Sequence, residues 1–164
     1  LNRSARALSS ACRSDPALSD QLPNSIIIHG TCVALNGRAV LLTGASGQGK
    51  SGLALQLMAF GCQLVADDRT ILTVNDGKLI ASCPPAIAGQ IEARFVGILC
   101  AEPVPDAELV LVVDMDRTEE VRLPEPRSFC VLNVSLPLLH NVRQAHFPAA
   151  ILQYLRSGAV YLND

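Results

Sequence analysis

Short apolar blocks separated by turn-forming pairs organise this chain. Ser25-Ile26-Ile27-Ile28-His29 is rich in β-branched residues and continues through Thr31-Cys32-Val33-Ala34-Leu35. Asn36-Gly37 follows, a pair that tolerates positive φ in a tight turn, so the next apolar run, Gly37 to Thr43, is expected as an antiparallel neighbour. From Lys50 the period changes: Leu53, Ala54, Leu57 and Met58 share one helical face that ends before Gly61. Gln63-Leu64-Val65-Ala66 reads as a strand ending in Asp67-Asp68, its end brought to the same sheet edge as the end of the Gly37–Thr43 run. Thr70–Val74, the turn Asn75-Asp76-Gly77 and Lys78–Ser82 read as a hairpin.

After a loop at Pro84–Gly89, Gln90–Leu99 is expected as one extended run. Period two places Glu92 and Arg94 on one face, Ala93 and Phe95 on the other. Pro103–Asp106 is a loop, Glu108–Asp116 a buried strand, and Arg117–Arg127 a Pro- and charge-rich surface loop. Phe129–Val134 is expected as the last strand, and a helix from Phe147, carrying Ile151, Leu152 and Leu155, closes the chain before Gly158. Hairpins mixed with strand–helix units predict an α/β fold with a mixed, partly antiparallel sheet rather than a purely parallel one.

Length and composition narrow the class further. A chain of 164 residues suits one domain, expected over residues 25–164. Residues 1–24 are Ser/Ala/Arg-rich without periodicity and read as a flexible head; they lack the apolar core of a signal sequence, and Asp15 and Asp20 argue against a transit segment. Net charge is −2 without a basic stripe, which argues against nucleic acid as a partner, and no apolar run is long enough to cross a bilayer. Six cysteines stand singly rather than in Cys-x-x-Cys pairs, which reads as reduced, mostly buried thiols in a cytoplasmic protein.

Candidate chemistry centres on Gly44-Ala45-Ser46-Gly47-Gln48-Gly49-Lys50-Ser51, which fits G-x-x-x-x-G-K-[ST]. In that pattern successive backbone N–H groups wrap a polyphosphate, the Lys reaches the outer phosphates and the hydroxyl holds Mg²⁺. A strand before it and a helix after it aim a helix N-terminus at the loop, adding to the attraction for phosphate. Two acid pairs, Asp67-Asp68 and Asp114/Asp116, end apolar strands and compete for a metal-orienting role; one acid of such a pair would be left for acid–base work. A polar turn is the plain alternative for Asp67-Asp68, a solvated ion pair for Glu92 and Arg94, and a structural role for His29.

Four blocks in order, His29-Gly30, Gly44–Ser51, Leu64-Val65-Ala66-Asp67-Asp68 and Pro84-Pro85-Ala86-Ile87-Ala88-Gly89-Gln90-Ile91-Glu92-Ala93-Arg94, resemble the catalytic domain of the HPr kinase/phosphorylase family. The resemblance covers about Ile28 to Leu99, and the length is similar to the family's short form. It implies a P-loop NTPase-like kinase domain of the HPr kinase/PEP carboxykinase type. It further implies ATP and Mg²⁺ as cofactors, an HPr-like phosphocarrier as partner, a serine hydroxyl as acceptor, and a homo-oligomer, hexameric in the family. Carried over residue by residue, it implies Asp68, Asp67, His29 and Lys50 as catalytic and Gly44 to Ser51 with Glu92 and Arg94 as nucleotide-binding. Ser51 and Asp67 are implied at the metal, and Asp68 is favoured over Asp67 as base.

The sequence departs from the family at two positions near these blocks. Gly52 stands where Glu is usual, removing a carboxylate, and Phe95 stands where Gly is usual, which predicts bulk in a close-packed place. The long form's Pro-Gly-Arg loop has no match in the tail, so kinase activity is expected and phosphorylase activity is not. An ATP-sensing module that transfers no phosphate, and a P-loop kinase of a small metabolite, stand as alternatives.

Overall fold

The computed structural model describes residues 24–161; the expected head, but for Asn24, lies outside the described residues. β1 (Ser25–Leu35) and β2 (Arg38–Thr43) fold back on each other across Asn36-Gly37, both at positive φ, and pair from Leu35↔Arg38 to Gly30↔Thr43. The expected antiparallel pair is therefore present. α1 (Lys50–Ala59) follows, and the N–H groups of Phe60, Gly61 and Cys62 take up its last carbonyls, with Gly61 in the positive-φ region that lets the chain turn away.

β3 (Gln63–Ala66) and β4 (Arg69–Asn75) lie end to end along β1. Cys32 pairs with Ala66 and His29 with Arg69, so Asp67 and Asp68 form the kink between two segments of one line. β5 (Lys78–Ser82) completes the expected hairpin with β4. β8 (Asp106–Thr118) runs antiparallel to β5 and parallel to both β2 and β10 (Val134–Asn141). The pairings β2–β1–β4–β5–β8 return to β2, closing a ring from which β10 and β9 (Ser128–Val131) extend. The sheet is mixed, as the alternation of hairpins and strand–helix units predicts.

A bulge in β8 divides the core. Ala39 pairs with Leu109 but Val40 with Leu111, so Val110 is extra and the side-chain phase flips there. Leu111 and Val113 pack with Val40, Leu42, Leu53, Leu57 and the α2 (Phe147–Ser157) residues Ile151 and Leu155. Leu109 and Val112 pack with Leu41, Cys32, Leu72 and Leu79 on the face away from the helices. Arg38 Nε donates to the Leu155 carbonyl at 2.7 Å, tying the end of α2 to the sheet.

Two expected strands come out differently. Gln90–Leu99 is a hairpin, β6 (Gln90–Ala93) against β7 (Gly97–Cys100), because Phe95 and Gly97 adopt positive φ between them. Phe129–Val134 is broken by Leu132-Asn133, both at positive φ, and the strand β10 that follows was not expected. Among the described cysteines, Cys32, Cys62, Cys83 and Cys100 are free thiols, the first two buried and Cys100 exposed, while Cys130 is disulfide-bonded, against the reading of six reduced thiols. Among the described residues, no helix is long and apolar enough to cross a membrane.

Candidate functional site

The loop Gly44–Gly49 joins the end of β2 to the start of α1. Gly44 has φ 137°, and a Cβ there would stand 3.1 Å from the Met115 Cβ and 3.2 Å from Asp116 Oδ1, so the tight approach of β8 requires a glycine. Gly49 caps α1 without a side chain, and no acid sits in the first turn. The first-turn N–H groups are thus left to an anion rather than to a capping oxygen. Lys50 is 8% exposed, and its Nζ donates to the carbonyls of Gly44 at 2.8 Å and Ala45 at 2.9 Å. Ser46, Gly47 and Gln48 form the exposed rim, with the Gln48 N–H on the Ala45 carbonyl at 3.3 Å.

The two adjacent acids have opposite surroundings. Asp67 is 8% exposed and accepts three hydrogen bonds: from the hydroxyls of Thr31 and Ser51 to Oδ1, both at 2.8 Å, and from the Glu92 N–H to Oδ2 at 2.9 Å. Its position is fixed from β1, α1 and β6 at once. Asp68 is exposed, at φ 66°, and the Arg69 N–H reaches the Asp67 carbonyl at 2.7 Å across it, a three-residue turn of the strained positive-φ kind. The kink turns the Asp68 carboxylate towards His29, whose Nδ1 lies 3.1 Å from Oδ1.

These groups line a cleft of about 420 Å³ with Gly52, Glu92 and Arg94. The Arg94 guanidinium reaches the phosphate loop, 3.6 Å from where a Cβ on Gly47 would stand. Glu92 and Arg94 are exposed while Ile91 and Ala93 are buried, so the expected alternation holds through Arg94. It fails at Phe95, which is fully exposed at 101% in the turn; the expected bulk in a close-packed place is not what the fold contains. An added Cβ on Gly52 would meet nothing within 4 Å.

All thirteen sequence-derived site residues fall on this loop or cleft; Gly44, Ala45 and Gln48 belong to the loop without lining the cleft. The competing pair does not line the cleft but backs the loop: Asp116 Oδ1 accepts the Ala45 N–H at 2.9 Å, and Asp114 Oδ1 accepts the Asp116 N–H at 2.9 Å. Thr31, Asp67's second hydroxyl donor, carried no signal in the sequence because it sits mid-strand in an apolar run. Among the described residues no three His, Cys, Asp or Glu side chains gather to hold a metal by themselves. The hard oxygens of Ser51 and Asp67 do converge, which fits Mg²⁺, a cation that takes one or two protein oxygens and completes its shell with phosphates and water.

Comparison with known proteins gives the family and the fold. The family model described as HPr Serine kinase C-terminal domain matches residues 20–110. HPr kinase/phosphorylase of Clostridium botulinum is 40% identical over 82 residues, 50% of this chain and 27% of that protein. HPr kinase/phosphorylase of Caldanaerobacter subterraneus is 46% identical over 83 residues, again 50% of this chain and 27% of that protein. The match thus spans about a quarter of the length of these relatives. The solved structure of the Hpr(Ser) kinase/phosphatase from Coxiella burnetii superposes with a TM-score of 0.66 at 25% identity, covering 80% of this chain and 94% of that one.

Proposed function

This chain belongs to the HPr serine kinase C-terminal domain family, and from that premise we propose that it is an ATP-dependent protein-serine kinase acting on an HPr-like phosphocarrier. The observation that carries the reading is the division between two neighbouring carboxylates. Asp67 is held by three donors, the Thr31 and Ser51 hydroxyls and the Glu92 N–H, whereas Asp68 faces the cleft with only His29 against it. A buried carboxylate fixed by three donors, with acceptor capacity left beside the Ser51 hydroxyl, suits metal support; an open one suits proton transfer.

In this mechanism the loop N–H groups and the α1 N-terminus hold the phosphates of ATP, and Lys50 and Arg94 bring positive charge to them. Ser51 and Asp67 hold Mg²⁺, which when bound supplies further neutralisation of the phosphate charge. Asp68 accepts the proton of the acceptor serine as that oxygen is phosphorylated in line. His29 orients the Asp68 carboxylate through Nδ1, and Glu92 fixes Asp67 through its backbone. The transfer depends on positioning and charge rather than on a covalent enzyme intermediate. A cytoplasmic homo-oligomer is part of the same proposal.

Labelled ATP, Mg²⁺ and an HPr-like carrier provide the test. Label is expected on a carrier serine, and Asp68→Asn is expected to slow transfer by about 10²–10⁴-fold while MgATP binding persists. Bound MgATP with no label on the carrier overturns the kinase reading. That outcome would favour the second reading, an ATP sensor that transfers nothing. Gly52 favours it, since it supplies no carboxylate at the position where the family resemblance implies Glu.

A further inference from the structure

β8 runs past the end of β2 and bulges against β10. β2 stops opposite Asp114 in the register Thr43↔Asp114, and on the other side β10 pairs His140 with Asp114 but Asn141 with Thr118. Met115, Asp116 and Arg117 therefore arch away from β10, an irregularity of the kind that re-aims side chains beside functional sites. The arch brings Met115 and Asp116 against Gly44, whose missing Cβ makes room for them. Asp114 Oδ1 braces the arch from within by accepting the Asp116 N–H at 2.9 Å.

We propose that Asp116 is a positioning residue for the phosphate loop: its carboxylate holds the Ala45 N–H and thereby sets the two carbonyls that carry Lys50. Both ends of Ala45 are then fixed. Its N–H donates to Asp116 Oδ1 at 2.9 Å, and its carbonyl accepts from Lys50 Nζ at 2.9 Å and from the Gln48 N–H at 3.3 Å. The Gly44 carbonyl, one peptide earlier, is the other acceptor for Lys50 at 2.8 Å. The carboxylate sits on the outside of the loop, where it spends one N–H on shape rather than on phosphate. Electrostatics alone works against an acid so near a polyanion site, since a negative charge there repels the ligand. The two effects have opposite signs, which makes the role measurable.

The inference rests on Gly44–Ser51 being the nucleotide-phosphate site, and the full chain with MgATP as probe tests both levels by calorimetry. Asp116→Ala removes charge and hydrogen bond together and is expected to weaken MgATP binding by about tenfold. Asp116→Asn keeps an acceptor for the Ala45 N–H, removes the repulsion, and is expected to bind within about twofold of wild type or more tightly. Asp116→Ala binding as well as wild type overturns the proposal, as does Asp116→Asn binding as poorly as Asp116→Ala. Wild-type protein that does not bind MgATP overturns the kinase reading itself. Hydrogen exchange on the wild type needs no variant: the solvent-facing Ala45 amide is expected to be protected, and exchange at the rate of an open loop overturns the role of Asp116.

Discussion

Gly52 and Phe95 invert the usual match between residue and backbone. Gly52 lies in α1 outside the left-handed region, where a Cβ would meet nothing, so its glycine costs helix stability without a steric reason. Gly52→Ala is expected to raise stability by about 0.4–1 kcal/mol through the lower entropy of the unfolded chain, read as a higher denaturation midpoint. Phe95 is the reverse case, a bulky residue at φ 66° whose ring packs on nothing. The sequence could show that both depart from the family pattern, but not what each departure does. A glycine's surroundings and a turn's dihedral are set by chain segments far away in sequence.

At the scale of elements, the junction of β8, β9 and β10 is held by charge in a half-buried place. Arg127 Nη1 donates to Glu119 Oε2 at 2.6 Å, and the Glu120 and Val121 N–H groups donate to Oε1 at 3.1 Å each. His140 Nδ1 lies 3.8 Å from the same carboxylate, while its buried Nε2 has no partner. The Arg127 hydrogen bond holds the Glu119 carboxyl below its ordinary range. Burial, followed by the Arg127 charge, pushes the His140 imidazole down, against the smaller pull of Glu119 and Asp114. Both groups take up protons more readily unfolded than folded, so both contribute stability that falls on acidification. The His140 part is complete above about pH 6.5 and is lost below it; the Glu119 part is complete above about pH 4.3 and is lost below that. Denaturant midpoints should therefore drop from pH 7.5 to 5.5, and His140→Leu should flatten that stretch while leaving the steeper fall below about pH 4.3. This junction lies beyond residues 20–110, where the sequence matches the family, and β10 was not expected because Leu132 is an unusual residue for a positive-φ turn position.

For the whole molecule, the loop, the kink and the β6–β7 hairpin come from three separate parts of the chain that meet only when folded, so a ligand bridging them stabilises the fold. MgATP at about a hundredfold its Kd should add about 2.7 kcal/mol. For a chain of this size that corresponds to a rise in Tm of about 5–10 °C, lost in Lys50→Ala if the loop is the site. Legible in the residues alone were the G-x-x-x-x-G-K-S loop between its strand and helix, the β1–β2 and β4–β5 hairpins and the acids at the kink. Each of these is written in local spacing: a glycine pattern, a change from period two to period 3.6, or a turn pair. Packing alone shows that Asp67 takes three donors while Asp68 is open, that Thr31 is one of those donors, and that Asp116 accepts the Ala45 N–H. Those facts depend on how elements between 16 and 71 residues apart in sequence come together. Local spacing carries no record of register, because the same apolar alternation is satisfied by several pairings and only the packed core selects one.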